Sequence, residues 1–172
     1  EESKYTMDED ETMNVKLIRI GGKGELTVTV NPNPGTAIQD DYNTELNTVV
    51  TFKEGETEKE VPVQTRRNKN TTGRQYFTLD ISCDNEDVII GFNAKARINI
   101  IDAEGYKDEL QNTIDSLASL NQEAYTALSW QNLQEKVNAA NTLLQGASDY
   151  REYKAAMAAI EEARAALTPK SD

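Results

Sequence analysis

The chain has no histidine and one cysteine, Cys83. The first absence excludes Ser-His-Asp and Cys-His catalysis and every zinc site that uses an imidazole. The second excludes an intrachain disulfide and leaves the redox compartment open. No apolar run approaches the ~20 residues that span a bilayer. Positive charge is scarce, with 18 Lys and Arg against 30 Asp and Glu and a net charge of -12. Such a chain repels nucleic-acid phosphates and anionic membrane surfaces, and no basic face is available for counterion-release binding. Also missing are a glycine-rich phosphate loop, a cysteine cluster and a nucleophile elbow. Carboxylates are abundant, but an acidic surface supplies them anyway, and small domains rarely offer the cleft that paired carboxylates need for glycoside hydrolysis. Catalysis within these 172 residues is not expected.

What is present falls into two textures that meet near residue 103. Before it, apolar residues alternate: Met13, Val15, Leu17; Leu26, Val28, Val30; Val50, Phe52; Val61, Val63; Phe77, Leu79, Ile81; Ala96, Ile98, Ile100. A period of two with β-branched residues predicts strands with one buried face. Turn signals stand between them at 21–24, 31–35, 53–56 and 68–73. About seven short strands at this spacing predict an antiparallel β-sandwich. Pro62 falls inside a strand pattern and is expected on an edge, where its missing N–H costs no ladder bond.

After residue 103 glycine becomes scarce and alanine dominates. Three amphipathic stripes follow: Leu110, Ile114, Leu117, Leu120; then Trp130, Leu133, Val137, Ala140, Leu144; then Tyr153, Met157, Ile160, Ala163, Leu167. Spacings of three and four predict helices. Thr126 suits the start of the second and Gly146 its end, while Asp149 with Glu152 forms a capping-box pattern for the third. Short connections predict an up-down-up bundle. The segment 103–108, "AEGYKD", is expected to be a short connector with limited hinge motion.

The pieces "YTMDEDETMNVKLIR", "GELTVTV", "GTAIQDDY", "VTFKEGETEKEVPV", "YFTLDI" and "ARINIID" occur in this order over residues 4–102. In that order they resemble a Calx-beta domain. The resemblance implies a seven-stranded, Ig-like antiparallel sandwich, and in many members calcium at one end of it. Calcium takes six to eight oxygens. The ligands implied by the resemblance are Glu9 after the first strand, Asp41 of the "DY" pair, an acidic run before the "E-x-F" strand, and an Asp-rich end to the last strand. This sequence departs from the last two. Arg66 and Arg67 stand where acids are expected, Gln75 replaces the Glu of "E-x-F", and the last strand closes on Asp102. Two readings of "GTAIQDDY" follow. One is a reduced calcium site built from Glu9, Asp41 and Asp102. The other, which the ligand count favours, is a turn whose carboxylates pair with Arg66 or Arg67 or face water.

Residues 109–168 resemble a FIVAR module, through Tyr125-Thr126, Ser129-Trp130, Leu133, Ala139-Ala140 and the closing "AIEEARAAL". That resemblance implies a non-catalytic module of large secreted or surface-attached bacterial proteins, among them glycoside hydrolases and adhesins. Tyr125 and Trp130 invite a sugar-stacking role, but the helical stripe places Trp130 in the core. Cys83 is expected at or near a strand end.

The expected architecture is therefore a β-sandwich over 1–102, the connector 103–108, and a three-helix bundle over 109–172. The expected role is an accessory region that spaces or docks a glycan-active or adhesive domain outside a bacterial cell. Direct recognition of carbohydrate or protein is the alternative. Its partners would be neighbouring domains of a parent chain, a glycan or a host-matrix protein, with no nucleic acid, no membrane span and no resident cofactor. The chain itself is expected to be a monomer.

Overall fold

A computed structural model describes residues 3–43, 48–68 and 72–171. Lys69, Asn70 and Thr71, which belong to the turn expected at 68–73, lie outside the described residues. The chain divides into two compact units, Glu1–Asp102 and Ala103–Asp172.

The first unit holds seven strands among the described residues: β1 (Ser3–Asp8), β2 (Thr12–Ile18), β3 (Leu26–Pro34), β4 (Thr48–Phe52), β5 (Glu58–Gln64), β6 (Arg74–Ser82) and β7 (Lys95–Ile101). They form a five-stranded sheet in the order β1-β7-β6-β3-β4 and a two-stranded sheet, β2-β5. The alternating residues explain both. Val28, Val30, Val50, Phe52, Phe77, Leu79, Ile98 and Ile100 point inward from the large sheet, and Leu17, Val61 and Val63 meet them from the small one. Burying such side chains contributes about 1.5–3 kcal/mol each.

One pairing corrects the wholly antiparallel expectation. β1 runs parallel to β7, with Tyr5 opposite Ile98 and Met7 opposite Ile100. The other ladders are antiparallel. Parallel neighbours need a long crossover rather than a hairpin. Here the intervening strands are that crossover, and period-two patterning carries no information about strand direction. Pro62 lies on β5, which among the described residues pairs only with β2, so it sits on an edge strand.

The second unit contains α1 (Ala103–Ser116), α2 (Ala127–Leu144) and α3 (Tyr150–Ala165). Residues 103–108, expected as a connector, are instead the opening turns of α1. Gly105 hides the helix from a propensity reading, at a cost of only ~1 kcal/mol. Glu104 suits the positive end of the helix, and Tyr106 anchors it by stacking on Tyr150 with centroids 6.0 Å apart. α3 packs against both other helices. Leu110, Leu133, Ala140, Tyr153, Ile160 and Ala163 are buried, all members of the expected stripes. Asp149 and Glu152 close the capping box: Arg151 N–H donates to Asp149 Oδ1 at 2.9 Å and Asp149 N–H to Glu152 Oε2 at 3.1 Å. Thr126 precedes α2 without capping it through its side chain; its hydroxyl meets Ser129 Oγ at 2.9 Å. Among the described residues no helix is long and apolar enough to cross a membrane.

The acidic loop end as a candidate metal centre

β-Strand direction places the β1–β2 turn, the β3–β4 loop, the β5–β6 loop and the end of β7 at one end of the first unit. Glu9, Asp41 and Asp102 are all there, and all are buried, at 7%, 4% and 7% exposure. Buried carboxylates need donors or cations. The structure supplies protein donors.

The "GTAIQDDY" segment is built by packing. A Cβ on Gly35 would lie 2.3 Å from Tyr76 Cε2 and 2.6 Å from Tyr76 O, so only glycine lets the chain pass. Thr36 Oγ1 accepts Tyr76 N–H at 3.1 Å, and Ala37 N–H donates to Tyr76 O at 2.9 Å. Tyr42 enters the core and stacks on Phe77. Between these anchors Gln39–Asp41 form one short 3-10 turn. Asp41 Oδ2 accepts Ile38 N–H at 2.7 Å, which closes that turn, and Asp41 O accepts Arg66 N–H at 2.7 Å. The Arg66 guanidinium reaches Asn43 Oδ1 at 3.3 Å.

The β1–β2 turn is held just as tightly. Thr65 Oγ1 accepts Glu11 N–H at 3.0 Å and donates to Asp8 O, while Thr65 N–H donates to Glu11 O at 2.9 Å. Asp10, at a φ of 55° that acidic residues tolerate better than most, accepts Arg67 N–H on Oδ1 at 3.0 Å. Glu9 Oε2 lies 3.9 Å from Arg67 Nε, and the Glu9 carboxyl accepts the Asn68 backbone N–H. Burial, then the Asp102 charge, push the Glu9 carboxyl up to about 7, and Arg67 opposes them. Asp102 Oδ2 accepts Gly73 N–H at 2.7 Å.

These residues do not fit calcium. Asp41 and Asp102 each give a carboxylate oxygen to a backbone N–H, and the cation beside Glu9 is a guanidinium. Among the described residues no group of three or more His, Cys, Asp or Glu stands close enough to hold a metal ion. The pairing expected with Arg66 or Arg67 divides between loops: Arg67 meets Glu9, and Arg66 turns to Asn43. Sequence reasoning missed Asp10, Thr65, Asn68 and Gly73. Three of these act through backbone or hydroxyl groups that leave no pattern; Asp10 was visible only as part of an acidic run.

In the second unit Tyr125 and Trp130 are both half-buried, with rings 6.2 Å apart and 13° from parallel. Trp130 therefore lies at the margin of the core, not inside it. The nearby cavity of about 470 Å³ is lined by Thr126, Leu128, Ser129, Gln131, Asn132 and Glu135 with Ala166 and Thr168, so neither ring faces it. Cys83 follows β6 and donates to Thr27 O at 3.4 Å.

Comparison with known proteins adds three findings. The Calx-beta domain model matches residues 1–104, leaving the remaining helical residues outside the match. The calcium binding domain CBD12 of CALX1.1 is 19% identical with a TM-score of 0.53, over 59% of this chain and 43% of that one. The apo-form Calx CBD1 domain is 18% identical with a TM-score of 0.52, over 58% of this chain and 89% of that one. Both likenesses are of fold. The chain spans less than half of the CBD12 structure it matches. No curated protein matches.

Proposed function

Because this chain belongs to the Calx-beta domain family, we propose that it is a non-catalytic accessory region of a larger protein, working without metal. The observation that carries this reading is that each buried acid has a protein partner: Ile38 N–H on Asp41, Gly73 N–H on Asp102, Arg67 on Glu9. A metal-tuned domain keeps its carboxylate oxygens available; this one uses them to fix its own loops.

The finer context follows from the two resemblances taken together. The helical unit is read as a FIVAR-like three-helix bundle, and the pair as a segment of a bacterial secreted or surface protein that spaces or docks a glycan-active or adhesive domain. A domain boundary at 102 and a monomeric chain belong to the same proposal. The experiment is thermal unfolding in EDTA and then in millimolar calcium. No shift is expected, since a ligand raises stability only by binding the native state. A calcium-specific rise, absent with magnesium, would replace this reading with a reduced site at Glu9, Asp41 and Asp102.

A second reading is direct carbohydrate recognition by the helical unit. What favours it is the half-burial of Tyr125 and Trp130, which leaves part of both rings accessible. A glycan array on the whole chain, repeated with Trp130→Phe and Tyr125→Ala, decides it: hits lost in the variants support it, and an empty array removes it.

A further inference from the structure

The residues at the loop end disagree with the calcium expected from the fold, and the disagreement has a specific form. Arg66 and Arg67, just past the end of β5, tie down two different acidic segments. Arg66 serves the β3–β4 loop, through its N–H on Asp41 O and its guanidinium on Asn43. Arg67 serves the β1–β2 turn, through its N–H on Asp10 and its guanidinium on Glu9. The next residue, Asn68, adds its own backbone N–H to Glu9.

We infer that Arg67 is the built-in cation of this end: its guanidinium, seated against Glu9, holds the β1–β2 turn to the β5–β6 loop in place of a divalent ion. This deepens the metal-free reading above and rests on it.

Three observations carry the inference. Glu9 is buried, so its ionised form requires compensation, and the charges of Asp102 and Asp10 both act against it. Arg67 acts on Glu9 in the opposite sense, from 3.9 Å. The backbone of Arg67 is fixed by Asp10, so its side chain is delivered to Glu9 rather than left to search for it. Half of the Arg67 side chain remains in water, which keeps most of the desolvation cost on the carboxylate side. A guanidinium suits this role better than an ammonium because it stays charged and is weakly hydrated.

A cation that compensates a buried carboxylate makes a distinctive prediction: removing it costs stability, and removing the carboxylate as well reverses the loss. The test is thermal unfolding of the full chain as wild type, Arg67→Gln, Glu9→Gln/Arg67→Gln and Arg66→Gln, each in EDTA and in calcium chloride. At pH 8, where Glu9 is ionised, Arg67→Gln is expected to lose about 4 °C or more, in EDTA and in calcium alike. Glu9→Gln/Arg67→Gln should recover without calcium, since the uncompensated carboxylate has gone. Arg66→Gln should show no calcium response. If Arg67→Gln melts like wild type at that pH, the inference is overturned. If Arg67→Gln does not fold, circular dichroism of the double variant decides: a restored fold supports the inference, and a double variant that also stays unfolded overturns it. A calcium response in wild type would instead sink the metal-free reading, and recovery of the double variant in EDTA would still decide the role of Arg67.

Discussion

The rings of Tyr42 and Phe77 lie face to face, 4.0 Å between centroids and 8° from parallel. Asp41 precedes one of them in sequence, and Asn43 follows it with its N–H on Gln64 O at 2.9 Å. The buried acid is therefore positioned by its aromatic neighbour. Tyr42→Ala is expected to cost about 3–5 kcal/mol, while Tyr42→Phe should cost far less because the stacking survives. Urea unfolding of the three proteins measures this. Equal losses for both variants would show that the hydroxyl, not the ring, matters.

Gly35 gives a second, sharper prediction. Its missing side chain faces both the ring and the carbonyl of Tyr76. Gly35→Ala should destabilise by about 1–3 kcal/mol, the range for forcing an extra carbon into a packed place. Removing the Tyr76 ring as well should not fully rescue it, because the carbonyl remains 2.6 Å from the new carbon. A double variant as stable as Tyr76→Ala alone would refute the backbone part of the argument.

The pH dependence of stability should carry the signature of Glu9. Its carboxyl sits at about 7 in the folded chain against 4.5 for the free group. Between those values the folded state holds a proton that the unfolded chain releases. Stability from this group is then fully present below pH ~4.5 and declines as pH rises through about 7. The wild-type melting temperature is expected to fall between pH 5 and pH 8 relative to Glu9→Gln, by an amount worth roughly 2–3 kcal/mol at most. Melts of the two proteins across that interval measure it; parallel curves would mean that Glu9 titrates normally.

How much of this was legible in the sequence depends on which physics writes the pattern. Burial writes periodicity. The inward residues of β3 (Leu26, Val28, Val30) and of α3 (Tyr153, Ile160, Ala163) were readable one by one, and each is buried. Backbone direction writes nothing, so the parallel pairing of β1 with β7 was not readable. A helix that tolerates one glycine looks like a linker, and Gly105 concealed the start of α1 for that reason. At the acidic end the charges of Arg66 and Arg67 announced a pairing, but which arginine met which loop depends on where β5 ends. The donors on Asp41 and Asp102 are peptide N–H groups of Ile38 and Gly73, and every residue but proline has one.

Trp130 joins the two questions left by the helical unit, packing and recognition. A ring fully in the core would make every substitution there costly, and one lying free on the surface would make none costly. Half-buried against Tyr125, it should separate the two kinds of variant. Trp130→Phe keeps an aromatic face opposite Tyr125 and is expected to cost less than about 1.5 kcal/mol, whereas Trp130→Ala removes the ring and should cost about 2–3 kcal/mol. Far-UV circular dichroism during urea unfolding follows the helices directly. If Trp130→Ala melts as wild type does, the ring contributes nothing to packing, and carbohydrate recognition becomes the better account of why an indole stands there.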